Sequence, residues 1–363
     1  MKLVIAEKPD AARKMAAFLG AKTNQSGYIE GAGYIFTWGF GHLAELCPPE
    51  DYGFSIKWRM EELPMLPERF KLRAAADKVA QVKIIQSLIA RKEVDTVINA
   101  CDPDREGELI FRYILELAGS VNKPIQRVWL STFTETDVKK AFAAPAPAGQ
   151  YDNLGAAGRA RSEADWLVGM NGTRAMTVRT GNMVSIGRVQ TPTLAIVCNR
   201  YLINKNFIPV PYYTVRLTLE KDGTVFTATT DRIDEKAKAE GIKQSVLNVA
   251  NIVKIVTKER VENPPLLLDL TELQKEANKR HGLTAADTDA IAQKLYETGI
   301  MSYPRTDSRF IGENLFAEIP KFLNLCGGFN IEFNMAAAKY AGITLNDNCV
   351  NDKKVTGHHA LLP

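Results

Sequence analysis

Apolar positions in this chain fall into short unbroken runs that alternate with stretches of helical spacing. The first run covers 3–6, is followed at once by Glu7-Lys8-Pro9, and gives way to apolar residues at helical intervals over 11–19. Unbroken apolar runs of this length fit strands buried on both faces, the pattern of a parallel sheet with helices on either side. Pro9 supports a helix start, because a first helical residue has no partner for its N–H and Pro presets the required φ. The alternation continues with runs at 34–38, 94–100 and 126–130 and helical spacing at 74–89, 105–117 and 136–142. Residues 1–146 therefore read as an α/β domain with an insert rich in Pro and aromatic residues over 47–72; the stretch 143–149 reads as a linker.

The segment 147–207 turns helical and carries Arg159, Arg161, Arg174, Arg179, Arg188 and Arg200, guanidinium groups suited to gripping phosphate oxygens in pairs. The period then changes. Tyr213, Val215, Leu217 and Leu219 alternate with polar residues, Asp222-Gly223 supplies a hairpin turn, and a returning strand covers 225–230. With a further strand expected over 252–256, residues 208–264 form a β-rich region. After Pro264-Pro265 helical patterns resume at 271–279, 285–296 and 317–325, making 265–363 a helical domain. The last residues look like structured sequence, so the chain is expected to be the amino-terminal part of something longer.

At 363 residues with 45% hydrophobic content the chain has room for several packed domains. No apolar run approaches the roughly 20 residues of a membrane span and no signal peptide precedes the first strand, which points to the cytoplasm. The five cysteines are scattered without C-x-x-C spacing, which argues against structural zinc and a disulfide framework. A net charge of +4 permits a nucleic-acid partner without requiring one.

Two clusters carry candidate chemistry. Asp102, Asp104, Glu106 and Glu108 follow the strand at 94–100 directly, and carboxylates packed so closely are best tolerated around a divalent cation, Mg²⁺ by preference. The same acidic residues also suit the opening of a helix. In an open α/β sheet the turn at Glu7-Lys8 and the acidic turn lie at carboxyl ends of strands, where such folds bind ligands, so both are expected in one crevice. The second cluster is Tyr303-Pro304-Arg305-Thr306-Asp307. Pro304 biases Tyr303 toward extended backbone, so its phenol should project from a turn. A tyrosine among arginines is ordinarily a surface residue; its other reading is a nucleophile toward phosphorus, its phenolate stabilised by nearby positive charge.

These residues carry a resemblance. Tyr303-Pro304-Arg305-Thr306-Asp307 resembles the active-site tyrosine motif of type IA DNA topoisomerases, and further segments match that family in its own order. Glu7-Lys8-Pro9 and the acidic cluster resemble its Toprim domain, and the stretches 37–43 and 58–72 resemble the insert within it. Ala160-Arg161, Asp165-Trp166 and the stretch 187–192 resemble the segment that cradles single-stranded DNA. The stretches 129–131 and 353–363, with His358, are most similar to the bacterial topoisomerase III branch.

The resemblance implies that Tyr303 attacks a DNA phosphodiester, holds the 5′-phosphate and frees a 3′-hydroxyl, so that resealing needs no ATP. It further implies that Arg305 binds the scissile phosphate, that Lys8 reaches the same phosphate, that Glu7 works beside the leaving 3′-oxygen, and that His358 donates a hydrogen bond nearby. Glu7, Asp102, Asp104 and Glu106 would hold Mg²⁺, with Glu108 supporting the site. Arg161, Asp165, Arg188 and Gln190 would contact DNA. The implied enzyme is an isomerase that relaxes negative supercoils and decatenates, a monomer in the bacterial cytoplasm at nucleoid or plasmid, with a helicase and a single-strand binding protein as candidate partners. The implied fold is a multidomain toroid: a Toprim α/β domain (1–146), a helical single-strand binding segment (147–207), the first half of a β-rich arch (208–264) and a helical domain carrying the active-site Tyr (265–363), the ring incomplete in this chain. His42, Cys101, Trp38, Trp58 and Trp129 are read as structural. The first half alone also fits a Toprim-type nuclease or primase-like enzyme in which Tyr303 is incidental, and the arginine-rich part alone fits a truncated, non-catalytic fragment that binds single-stranded DNA.

Overall fold

The computed structural model describes residues 1–363 apart from 120, 132, 328–330, 341–346 and 356. The chain divides into two compact units, Met1–Arg188 with Pro265–Pro363, and Val189–Pro264. Among the described residues no helix is long and apolar enough to cross a membrane.

The first unit begins, in chain order, with β1 (Lys2–Ala6), α1 (Pro9–Phe18), β2 (Thr23–Gln25), β3 (Tyr28–Gly31), β4 (Tyr34–Trp38), β5 (Ala44–Leu46), β6 (Leu72–Ala74), α2 (Val79–Ala90), β7 (Thr96–Ala100), α3 (Arg105–Ala118), β8 (Ile125–Arg127), α4 (Glu135–Ala143), β9 (Ala146–Pro147) and α5 (Asp152–Thr180). Seven of these strands form one sheet in the order β2-β3-β4-β1-β7-β8-β9. Its centre, β4-β1-β7-β8, is parallel, and the flanking pairs are antiparallel. Alternate residues of β1 serve opposite faces. Val4 and Ala6 pack with Met15 of α1 and Val138 and Phe142 of α4, while Leu3 and Ile5 pack with Val82 and Ile85 of α2 and Ile110 and Ile114 of α3. All four β1 residues are fully buried, each larger side chain contributing about 1.5–3 kcal/mol. This is the doubly wound layering that the unbroken apolar runs predict.

Two local features differ from the sequence reading. The Ala/Pro/Gly stretch at 143–149 is not a free linker: Ala146 and Pro147 pair with Arg127 and Gln126 as an edge strand, a place where Pro's missing donor costs little. Strands β2 and β3 escape detection because Thr23, Asn24 and Gln25 are all exposed and give no apolar signal. The insert is anchored on α5 by Trp166, whose Nε1 donates to the Cys47 carbonyl at 2.9 Å, and by Asn171, which bonds the Met65 backbone.

The second unit holds α6 (Gln190–Lys205), the hairpin β10 (Arg216–Lys221) and β11 (Thr224–Thr229), and α7 (Lys236–Gln244). Asp222 and Gly223 turn the hairpin with φ of 50° and 74°, as its two-residue turn requires. The strand expected over 252–256 is not formed. Val253 is 98% exposed, and an extended apolar segment gains nothing unless a neighbouring strand takes up its backbone donors and acceptors.

The first unit resumes with α8 (Leu270–His281), α9 (Ala285–Glu297), α10 (Glu313–Phe316), α11 (Ile319–Gly327) and α12 (Ile331–Tyr340). A small core of Ile311, Leu315, Ala360 and Leu362 packs this part.

Candidate active site

Strand register builds one side of the site. Ala6 pairs with Trp38 on β4 and with Ala100 on β7, so three strands end level and their following turns open on the same edge. Gly39 N–H donates to the Ala6 carbonyl at 2.9 Å and Gly41 N–H to the Glu7 carbonyl at 3.3 Å. Helix α3 then sits close against the acidic turn: a Cβ at Gly107 would lie 2.3 Å from the Asp102 carbonyl oxygen, so only glycine fits. Asp104 caps α3, accepting from the Gly107 N–H at 2.7 Å.

Beneath this turn lies a buried brace. Arg127, 1% exposed, donates to the backbone carbonyls of Cys101 and Asp102, both at 2.7 Å, and to Asn99 Oδ1 at 2.9 Å. Its charge faces Glu108 at 3.5 Å, and Glu108, 2% exposed, also accepts from Asn99 and Arg112. Glu108 thus lies buried beneath the acidic turn. Cys101 is buried, and desolvation holds its thiol well above the ordinary pKa, in line with its structural reading.

The other side comes from the segment after α9, where Gly299 (φ 76°) turns the chain out of the helix. Ser302 and Leu362 exchange two hydrogen bonds at 2.9 Å, and Thr306 Oγ1 donates to the His358 carbonyl at 3.2 Å. These bonds hold Tyr303 beside His358, ring centroids 4.5 Å apart, with Tyr296 edge-on at 5.2 Å.

Lys8 joins the two sides. Its ammonium bonds Asp102 at 2.6 Å, lies 3.3 Å from Glu7, and sits 3.9 Å from the centroid of the Tyr303 ring. Burial would strip its proton, but Asp102, Glu7 and Tyr303 overcome that and raise its pKa. Burial likewise opposes ionisation of Asp102, yet His358, with Nε2 3.6 Å away, and Lys8 bring its pKa down to about 2. Glu7 is raised instead, by burial first and then by Asp102. His358 Nε2 is buried, faces Asp102 and makes no hydrogen bond.

Glu7, Lys8, Asp102, Asp104, Glu106, Tyr303 and Arg305 thus line one crevice of about 510 Å³, and His358 lines the cavity adjoining it. Arg305 is 60% exposed and pairs only loosely with Asp289, at 3.5 Å. Among the described residues no three carboxylate, imidazole or thiolate groups converge as a metal cage. The donor chemistry still fits a hard divalent ion, because Glu7, Asp102, Asp104 and Glu106 face one crevice. Each carboxylate has another partner in this conformation: Lys8 for Glu7 and Asp102, the start of α3 for Asp104, and His42 with Arg161 for Glu106. Loading an ion therefore requires side chains to turn.

Of the expected DNA contacts, Arg161 pairs with Glu106 and Arg188 with Asp165. Gln190 belongs to the second unit. His42, read as structural, has its Nε2 2.7 Å from Glu106 and lines the crevice. The signal was available, since His42 follows a strand that pairs with β1 and must open on the same edge. Trp38 is buried and Trp129 stacks on Tyr151 at 5.3 Å, both as packing residues; Arg174 lies over Trp58 at 5.5 Å.

An acidic turn and a lysine lie at the carboxyl edge of a parallel sheet, faced by a tyrosine–arginine turn, and residues 2–133 match the Toprim domain. Toprim domains bind metal ions. Residues 149–363 match the DNA topoisomerase family, and the chain belongs to that family. It is 41% identical over 371 residues to DNA topoisomerase 3 of Shouchella clausii, covering 100% of this chain and 51% of the relative. It is 38% identical over 372 residues to DNA topoisomerase 3 of Bacillus subtilis, covering 99% and 50%. The chain therefore spans about half the length of these relatives. Its fold is similar to full-length topoisomerase I from Thermotoga maritima, with a TM-score of 0.59 and 24% identity over 90% of this chain and 52% of that one.

Proposed function

We propose that this chain carries the cleavage and resealing centre of a type IA DNA topoisomerase of the topoisomerase III kind. The observation that carries this reading is the meeting of Tyr303, Arg305 and Lys8 with Glu7, Asp102, Asp104 and Glu106 in one crevice. Tyr303 Oη attacks a phosphodiester of single-stranded DNA, forming a phosphotyrosine at the 5′-phosphate as the bond to the 3′-oxygen breaks. The phenol gives up its proton and the departing 3′-oxygen gains one. One phosphodiester replaces another, so resealing by the reverse attack requires no ATP. Arg305, exposed and weakly paired, is free to grip the scissile phosphate with a permanently charged fork. Lys8 supplies a second positive charge against the charge that builds on phosphorus, and Glu7 stands beside the leaving oxygen. His358 Nε2 donates to a phosphate oxygen.

Glu7, Asp102, Asp104 and Glu106 would hold Mg²⁺, which supplies charge neutralisation and orients the 3′-hydroxyl. Arg161, Asp165, Arg188 and Gln190 contact the strand upstream. The working protein relaxes negative supercoils and decatenates, and partners that open or coat single strands, a helicase and a single-strand binding protein, suit it. The crevice draws on one chain only, which suits a monomer, and its substrate suits the nucleoid or a plasmid in the cytoplasm. The domains follow the boundaries 1–146, 147–207, 208–264 and 265–363.

The test uses end-labelled single-stranded oligonucleotides, quenched in denaturant with and without Mg²⁺. Protein should become attached to the 5′-phosphate end of a break, and Tyr303→Phe should abolish the adduct. Net hydrolysis that survives Tyr303→Phe would point to a Toprim-type nuclease instead.

A further inference from the structure

Glu106 and Arg161, assigned above to the cation and to DNA respectively, are bonded to each other. The other carboxylate oxygen of Glu106 is held by His42 at 2.7 Å. Arg161 also lies 3.9 Å from Asp165, whose second oxygen is taken by Arg188. Every side chain in this chain of charges is between 38% and 45% exposed, so water reaches all of them and partner exchange is cheap.

We infer that His42 and Arg161 hold Glu106 in a standby position from which a DNA phosphate releases it, so that DNA and a divalent cation bind cooperatively. The inference rests on the proposed function and adds how its site loads. A phosphate arriving at Arg161 takes over the guanidinium donors and frees Glu106. The freed carboxylate brings one more oxygen and one more negative charge to the crevice it already lines with Asp102 and Asp104. Conversely, a cation that draws Glu106 away leaves Arg161 bare for phosphate. The two couplings are equal by thermodynamic necessity. His42 is a positioning residue: it fixes the second oxygen and keeps Glu106 facing the crevice, so that release needs only a side-chain rotation.

The experiment measures affinity for a fluorescent single-stranded oligonucleotide by anisotropy, using the full chain with Tyr303→Phe to block cutting, at constant ionic strength with and without Mg²⁺. Thermal melts check that each variant folds. Mg²⁺ should tighten DNA binding roughly 5-fold or more, the lower end of ordinary coupling. Glu106→Gln should tighten binding without Mg²⁺ and remove most of the Mg²⁺ effect, and His42→Ala should shrink that effect. Asp104→Asn removes the same charge but frees no arginine, so it should tighten binding less. Adding Arg161→Ala should cancel the gain from Glu106→Gln, a non-additive cycle. The inference is overturned if Glu106→Gln and Asp104→Asn act alike, or if Glu106→Gln acts equally with and without Arg161. Failure of the proposed function looks different: the chain with Tyr303 intact forms no covalent adduct although DNA binding persists. If no variant binds DNA, both are refuted.

Discussion

The Lys8 ammonium lies 3.9 Å from the centroid of the Tyr303 ring while the same nitrogen bonds Asp102 at 2.6 Å. One cation thereby touches Tyr303, the proposed nucleophile, and the acidic turn, groups far apart in the sequence. A phosphate entering between them meets Lys8 already in place.

Removing that charge should damage chemistry more than fold. Lys8→Met is expected to slow adduct formation by about 10²–10³, the usual effect of deleting one preorganised donor. Lys8→Arg should recover part of the loss. Adduct yield against time reads both, and a rate within a few-fold of the unmutated chain would remove Lys8 from the chemistry.

Asp102 and Glu7 should respond to pH and mutation with opposite signs. The folded pKa of Asp102, about 2, lies below its ordinary 3.8. Its contribution to stability is therefore complete above about pH 4 and lost as pH falls toward 2, on the order of 2 kcal/mol. Glu7 is raised, so ionising it in the fold costs stability, a cost that appears as pH rises through its folded value. At pH 7, Asp102→Asn should lower the melting temperature while Glu7→Gln leaves it unchanged or higher. Shifts of the same sign in thermal melts would contradict this charge arrangement.

Gly107→Ala tests the contact between α3 and the acidic turn. The added Cβ would fall 2.3 Å from the Asp102 carbonyl oxygen, and only backbone movement can relieve it. A loss of about 1–3 kcal/mol is expected by denaturant titration, together with loss of adduct formation. Neutral behaviour in both assays would show that the turn does not need this close approach.

Arg127→Met probes the brace. It would leave Glu108 buried with Arg112 as its one remaining cation and would take one donor each from the Cys101 and Asp102 carbonyls. Removing one partner of a buried ion pair typically costs 3–5 kcal/mol, so a large fall in denaturation midpoint is expected. A change below about 1 kcal/mol would mean that the brace contributes little.

Much of this architecture is legible in the sequence for a simple reason. A strand buried on both faces is largely apolar, so β1, β4 and β7 declare themselves, and their ends mark Glu7, Lys8 and Asp102. Tyr303 and Arg305 are legible through their motif. What escapes is either locally polar or fixed by long-range partners. β2 and β3 carry few apolar residues, and 252–256 looks like a strand because β-branched side chains do, although pairing decides it. Arg127 sits in a predicted strand with nothing to mark its burial, and its role depends on Asn99, Cys101 and Glu108. The bond from His42 to Glu106 spans 64 residues and follows only from placing β4 beside β1.

Tyr303 is the proposed nucleophile of a DNA-cleaving centre. The most direct measurement traps the chain on a single-stranded oligonucleotide, digests the protein and reads the modified peptide by mass spectrometry. A nucleotide should be found joined through its 5′-phosphate to Tyr303 and to no other residue. An adduct on a different side chain, or cleaved DNA with an unmodified Tyr303 peptide, would contradict it.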